Sequence, residues 1–370
     1  MRILIAPDKF KGSLDAREVA ASIATGLRDV LADAIIDIRP VADGGEGTAA
    51  VVHEACGGEW ISCAAHDPLG RPIQARYLWL RESAKAVIEM SEAAGSARLA
   101  PHERDLLRSD TYGVGEMMQD AAKHGAKEIL LGLGGSATND GGFGMARALG
   151  FRFLAGEGEL TAGPVDLLNL TGILPVDSPA LQLIAAADVK NPLLGPRGAT
   201  RTFGPQKGGT PDQLNLLERA LERLAEIVRR DLGRDFRGSP GAGAAGGLGF
   251  GLMSFGQATI RPGFDVVAEL IGLRTAIEKA DVVITGEGRF DAQTLEGKAP
   301  AGVASMARHV GKPVHAIVGA VENSAKMSGL FDSITPLVRE DTSLEEALAN
   351  ATALLRNRAK ALAARLSAPS

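Results

Sequence analysis

The stretch from Glu128 to Leu149 constrains the chain more than any other. A short apolar run, Ile129 to Leu133, opens into Gly134-Gly135-Ser136 and then Thr138-Asn139-Asp140-Gly141-Gly142, after which apolar residues return at helical spacing with Phe143, Ala146 and Leu149. The pattern predicts strand, glycine-rich turn, helix. Glycines remove the Cβ atoms that keep a ligand off the backbone, so consecutive amides ahead of a helix N-terminus can point at an anion. Ser136, Thr138 and Asn139 add polar atoms, and Asp140 offers a carboxylate to a metal. The plain alternative is a strand-to-helix connection whose glycines only allow tight packing.

The same order of parts recurs. Ile3 to Ala6 reads as an aliphatic strand that stops at Pro7, followed by the polar loop Asp8-Lys9-Phe10-Lys11-Gly12-Ser13. Asp15 with Glu18 makes a variant capping box, and Val19, Ile23 and Leu27 form the apolar stripe of the helix behind it. Ile35 to Val41 is a second strand, running into Ala42-Asp43-Gly44-Gly45-Glu46-Gly47-Thr48. Glycines there bring backbone close to a ligand while holding Asp43 and Glu46 beside it, either to bind Mg²⁺ or to accept a hydroxyl proton. Asp281 to Thr285 is a further strand with Gly286-Glu287-Gly288-Arg289-Phe290-Asp291 at its carboxyl end; Pro313 to Val318 and Ser333 to Val338 complete a set of five.

Five parallel strands with crossover helices predict an α/β fold: a flavodoxin-like parallel-sheet domain built from both chain ends, 1–65 and 280–370, with a second mixed-sheet α/β domain, 66–279, inserted. A chain of 370 residues is comfortable for two such domains. In the inserted part, Gln74 to Leu80 alternates like a half-exposed strand and Ala86 to Met90 is another. Val114, Met117, Met118, Ala121 and Ala122 make a helix stripe whose methionines read as core. Polar loops fall in both domains, so the expected active site lies in the interdomain cleft.

A formal net charge of -5 supplies no broad attraction to nucleic acid or acidic membranes, so an anion site must be local. Cys56 and Cys63, outside any C-x-x-C pair, read as free thiols. The opening MRILIAPDKF does not read as a signal peptide and no apolar run reaches membrane-spanning length, so the expected location is cytoplasmic.

Three later segments carry polar chemistry. The strand from Leu183 to Ala187 ends in Asp188-Val189-Lys190-Asn191, which makes Asp188 a general-base or metal-ligand candidate, with a turn-capping aspartate as the bland alternative. Arg197 to Gly208 holds two arginines and Lys207 between glycines and prolines, a composition suited to clamping a carboxylate or phosphate, although it is no Walker A loop. A long helix from about Asp212 to Leu232 follows, with Leu217, Leu221, Leu224 and Val228 as its buried face. Pro240 to Gly249 matches G-x-G-x-x-G, but polar residues rather than a strand precede it, so a Rossmann reading fails. It reads as a helix entry packed against a neighbour, with Gly243 and Gly246 as candidates to face nucleotide phosphates.

Together, APDKFKGSL, PVADGGEGT, LGLGGSATNDGG, ADVKNPLLG, FGPQKG, PGAGAAGGLG and VITGEGRFDAQTLEGK resemble the motifs of the type-1 bacterial glycerate kinases, in that family's order and over most of the chain. The resemblance implies ATP-dependent phosphorylation of D-glycerate on its 2-hydroxyl, giving 2-phosphoglycerate, by a protein of two α/β domains.

Phosphoryl transfer asks for phosphate-cradling backbone, Mg²⁺ carboxylates, cations for the moving group and a base for the hydroxyl. All four kinds are present. Gly134, Gly135, Ser136 and Asn139, with Gly243 and Gly246, are the candidates to hold ATP phosphates; Asp43 and Asp291 to bind Mg²⁺; Asp188 to orient and deprotonate the hydroxyl; Lys207 to stabilise charge; and Arg289 to clamp the glycerate carboxylate. The aspartates are interchangeable on sequence alone. The alternatives are formation of 3-phosphoglycerate, a non-catalytic sugar-acid-binding protein, and a GHMP-type kinase, whose serine pair PGAGAAGGLG lacks. The expected partners are small molecules, with no nucleic acid or membrane, and the chain is expected as a monomer or homodimer.

Overall fold

The computed structural model describes residues 1–176, 181–291, 298–322 and 329–367. The chain divides into two compact units: Met1–Asp43, Ala50–Cys56 and Phe264–Ser370 form the first, Gly44–Ala49 and Gly57–Gly263 the second.

The first unit is organised on a five-stranded sheet in the spatial order Ser333–Pro336, Val314–Val318, Val282–Thr285, Arg2–Ile5, Ile35–Ile38. Every neighbouring pair is parallel. Numbered along the chain and read from the Ile35–Ile38 edge, this is the flavodoxin-like order. The central strands are continuous aliphatic runs because both faces are covered: Ile3, Leu4, Ile5, Val283 and Ile284 are fully buried. The expected strand from Ile35 to Val41 ends at Ile38, and Pro40 beyond it has no amide proton to continue a ladder.

The helix Ala16–Arg28 begins with the capping box that its sequence predicts. Asp15 Oδ1 accepts from the Glu18 amide at 2.8 Å while Glu18 Oε2 accepts from the Asp15 amide at 2.9 Å. Val19, Ile23 and Leu27 share one core with Ile3, Ile5, Leu355 and Leu362. The last two residues belong to Ala351–Leu366, which crosses the first helix at Gly26, where a methyl group would stand 2.1 Å from the Arg356 carbonyl oxygen. The C-terminal helix expected from Leu344 is two helices, Leu344–Ala349 and Ala351–Leu366, interrupted at Asn350.

The second unit holds a six-stranded mixed sheet in the order Thr259–Arg261, Gln182–Ala186, Glu128–Gly132, Lys85–Glu89, Pro72–Leu80, Glu59–His66. The first four strands run parallel, and Pro72–Leu80 pairs antiparallel with both Lys85–Glu89 and Glu59–His66. Met117 and Met118 lie in the core of this unit with Ile129, Leu131, Phe143 and Phe153. The helix Pro211–Leu232 buries Leu217, Leu221, Leu224 and Val228. Its Thr210 cap and Gln213 bond reciprocally.

The units divide at different places from the expected borders of 65/66 and 279/280. Glu59–His66 pairs antiparallel along its length with Pro72–Leu80 and so belongs to the second sheet, whereas Leu273–Lys279 falls in the first unit. Gly44–Ala49 joins the second unit, where the amides of Gly47 and Ala49 donate to the Glu89 carboxylate at 3.0 and 2.7 Å. Among the described residues no helix is long and apolar enough to cross a membrane.

Candidate functional site

In the second unit the buried strand Glu128–Gly132 delivers the chain into the predicted loop, with Gly135 exposed and Ser136 half-buried. Lys207, at the end of the short turn Pro205–Lys207, reaches back into this loop. Its Nζ donates to Ser136 Oγ and to the Thr138 carbonyl, both at 2.7 Å. Burial pushes the Lys207 ammonium down to about 7, against a partial upward pull from Asp140. Asn139 is fully buried and its Nδ2 donates to Thr200 Oγ1 at 3.0 Å. Asn139 Oδ1 and Thr138 Oγ1 have no hydrogen-bond partner among the described residues. Turning the amide over leaves one Asn139 atom unmet either way. Buried polar atoms left unpaired cost about 1–3 kcal/mol each, an expense that a polar ligand would relieve.

Asp140 is not a metal ligand here. Its Oδ2 accepts from the Thr111 amide at 2.9 Å, the Thr111 hydroxyl at 2.7 Å and the Gly144 amide at 3.0 Å, and its Oδ1 from the Gly142 amide at 3.0 Å. The carboxylate instead ties the loop to the start of the helix Phe143–Ala148. Gly243 and Gly246 also have a role other than the expected one. The Gly243 amide is spent on the Asn191 carbonyl at 2.9 Å. A methyl group at Gly246 would stand 2.0 Å from the Thr138 carbonyl oxygen, so this glycine lets the segment press on the back of the loop.

Asp188 lies in the same unit, just beyond the strand Gln182–Ala186, which pairs with Glu128–Gly132. Two neighbouring strand ends therefore present Asp188 and the glycine loop. Asp188 Oδ1 accepts from the Gly263 amide at 2.8 Å.

The other expected residues belong to the first unit. Its sheet changes winding direction between Arg2–Ile5 and Val282–Thr285, the position where open α/β sheets hold ligands. Asp8 follows one of these strands and Glu287 the other, with the Asp8 amide donating to the Gly286 carbonyl at 2.8 Å. Burial, then the charge of Asp43, pushes the Asp8 carboxyl up to about 7; Glu287 adds to the rise and Lys9 opposes it. Asp43 thus shares an acidic neighbourhood with Asp8 and Glu287. Arg289 is exposed, donates to Glu322 Oε1 at 2.5 Å and has Nε 3.9 Å from Asp291 Oδ2. That hydrogen bond raises the Arg289 pKa, and the expected carboxylate clamp already holds a carboxylate of its own chain. The rest of this motif, 292–297, lies outside the described residues. Among the described residues no three His, Cys, Asp or Glu side chains converge into a metal cage.

The structure therefore gathers Gly134, Gly135, Ser136, Asn139 and Lys207, with Asp188 on the adjacent strand end, in one unit, and Asp43, Arg289 and Asp291 in the other. It keeps Thr138 in the first set, adds Thr200 to it, and adds Asp8 and Glu287 to the second. Both acids stood in loops legible as strand ends, Asp8 after Pro7 and Glu287 between two glycines; nothing in the sequence ranked them above Asp43.

These features define an α/β protein with a lysine-bearing, glycine-lined site suited to an anion in one unit and a carboxylate-rich set of strand ends in the other. The sequence profile of the glycerate kinase family matches residues 3–367. A glycerate kinase of Bacillus subtilis (strain 168) is 41% identical, covering 98% of this chain and 97% of its own. The glycerate 2-kinase of Escherichia coli (strain K12) is 38% identical, covering 98% of each. The crystal structure of a Salmonella typhimurium LT2 protein assigned as glycerate kinase 2 is similar with a TM-score of 0.88 at 40% identity, over 99% of this chain and 98% of that one. The chain belongs to the glycerate kinase family.

Proposed function

We propose that the chain is an ATP-dependent glycerate kinase that phosphorylates D-glycerate on its 2-hydroxyl. The observation that carries this reading is the Lys207 amine held by Ser136 and Thr138 at a glycine-rich strand end, a protonatable group placed where backbone can approach phosphate. Family membership supports the phosphotransfer, and the name of the Escherichia coli relative supports the 2-position.

In this reading Gly134, Gly135, Ser136 and Asn139 receive the nucleotide phosphates, and Lys207 compensates charge on the moving phosphoryl group. The glycerate hydroxyl oxygen attacks the γ-phosphorus, the bond from that phosphorus to the bridging oxygen breaks, and the hydroxyl proton passes to Asp188. Asp8 is the second candidate for that base, because its elevated pKa suits proton transfer near neutrality. Mg²⁺ would supply charge neutralisation on the triphosphate. An ion that keeps waters and phosphate oxygens needs only one or two carboxylates, a demand that Asp43 and Asp291 fit without a protein cage. Arg289 would have to exchange Glu322 for the glycerate carboxylate.

The test is incubation of the purified chain with ATP, Mg²⁺ and D-glycerate, followed by phosphorus NMR of the product. The expected product is 2-phosphoglycerate. Phosphate on the 3-oxygen would reassign the acceptor hydroxyl, and glycerate binding without ATP consumption would replace the kinase with a sugar-acid-binding protein.

A further inference from the structure

Lys207 is held by two neutral partners, a hydroxyl oxygen and a carbonyl oxygen. Asp140 is the charged group that acts on it, and that carboxylate already accepts four hydrogen bonds. A half-buried ammonium without a counter-ion loses part of its hydration and has only two neutral oxygens in exchange, which shifts the balance toward the neutral amine while no anion is bound. Beside it, Asn139 and Thr138 leave buried polar atoms unmet. The pocket is thus short of both a negative charge and hydrogen-bond partners. An incoming phosphoryl group, with the water it carries, supplies both.

We infer that Ser136 and Thr138 hold the Lys207 amine as a reader of ligand charge: it takes up a proton when an anionic phosphoryl group docks against the Gly134–Asn139 loop. The inference rests on the nucleotide-binding reading given above. The proton comes from water or buffer, the amine becomes an ammonium, and no bond of the ligand is broken. Because the amine gains its charge only when the ligand brings an opposing one, the site favours fully ionised phosphate over neutral isosteres.

The pH window follows from the direction of the shift. With the amine at about 7 in the absence of ligand, roughly nine in ten copies are neutral at pH 8. An anion within hydrogen-bond reach raises such a group by about 1–3 units, which charges about half to nearly all of them in the complex at pH 8.

Isothermal titration calorimetry of the full chain with ADP and Mg²⁺ at pH 8, in two buffers of contrasting ionisation enthalpy, counts the protons exchanged. The parent is expected to take up about 0.4–0.9 proton per ADP. Lys207→Arg, which keeps a permanent charge, is expected to bind ADP with no uptake, and Lys207→Met to bind more weakly, also with no uptake. Binding by the parent without proton exchange overturns the inference while the kinase reading stands. Uptake that persists in both variants places the proton on another group and also overturns it. Absence of ADP binding by the parent overturns the nucleotide reading and the inference together.

Discussion

Substituting Gly246 by alanine tests whether the glycine-dense segment exists for packing behind the phosphate loop. Gly246 has φ of +68°, and its methyl group would stand 2.0 Å from the Thr138 carbonyl oxygen and 2.7 Å from Asn139 Cα. The left-handed backbone alone costs about 1–2 kcal/mol for a residue with a Cβ. Removing the overlap requires backbone on one side to move by about 1 Å, and overpacking of that kind costs about 1–3 kcal/mol more. Gly156 provides the control, with φ of +59° and nothing within 4 Å of its would-be methyl group; Gly156→Ala should therefore show the backbone cost of about 1–2 kcal/mol alone. Urea unfolding followed by circular dichroism separates the two through their midpoints, provided the slopes agree with the parent. Because the Thr138 carbonyl is one of the two Lys207 partners, Gly246→Ala should also raise the KM for ATP, and Gly156→Ala should not. Equal midpoints and equal KM values for the two variants would refute the close-approach reasoning.

Asp188→Asn is expected to lower turnover by about two to four orders of magnitude with ADP affinity retained; near-normal kcat would pass the base role to Asp8, to be measured next in Asp8→Asn. The folded chain keeps the Asp8 proton up to about 7, whereas an ordinary, solvated aspartate loses it near 3.8. The folded state therefore binds more protons between those values, and stability falls as pH rises through that window. Asp8→Asn should flatten this fall and exceed the parent in urea midpoint at pH 8; pH profiles that run parallel would remove the burial argument. Asp140→Ala strands four buried donors and should cost about 3–5 kcal/mol, read as a lower urea midpoint; a loss below about 1 kcal/mol would show that water replaces the carboxylate.

Features set by neighbours in sequence were legible before the structure. The Asp15 capping box needs three intervening bonds of chain, and the buried face of Pro211–Leu232 needs only the helical period. Short aliphatic runs closed by proline, glycine or polar residues place the five strands of the first sheet within a few residues. The strand Glu59–His66 escaped notice because its edge position leaves it mostly uncovered, so its hydrophobic alternation is weak. In the site, Ser136 and Lys207 were each singled out, but their contact spans 71 residues and no local pattern encodes it. The same limit hid the function of Gly246: a glycine open to a ligand and a glycine pressed on a carbonyl look alike until the opposing chain is in place. The tethering role of Asp140 is hidden for a related reason, since Thr111, which supplies two of its donors, lies 29 residues away.

The crossing at Gly26 bears on how the chain is made. The strand Arg2–Ile5 sits between partners from residues 35–38 and 282–285, and the helix behind it rests on residues 351–366. During translation the amino terminus must therefore wait, lacking three of the five strands of its sheet and its helical cover, until nearly the whole polypeptide has left the ribosome. The second unit is drawn almost entirely from one uninterrupted stretch, 57–263, and has no such delay. Vectorial synthesis thus favours completion of the later-encoded body first, with the earliest residues the last to find their place.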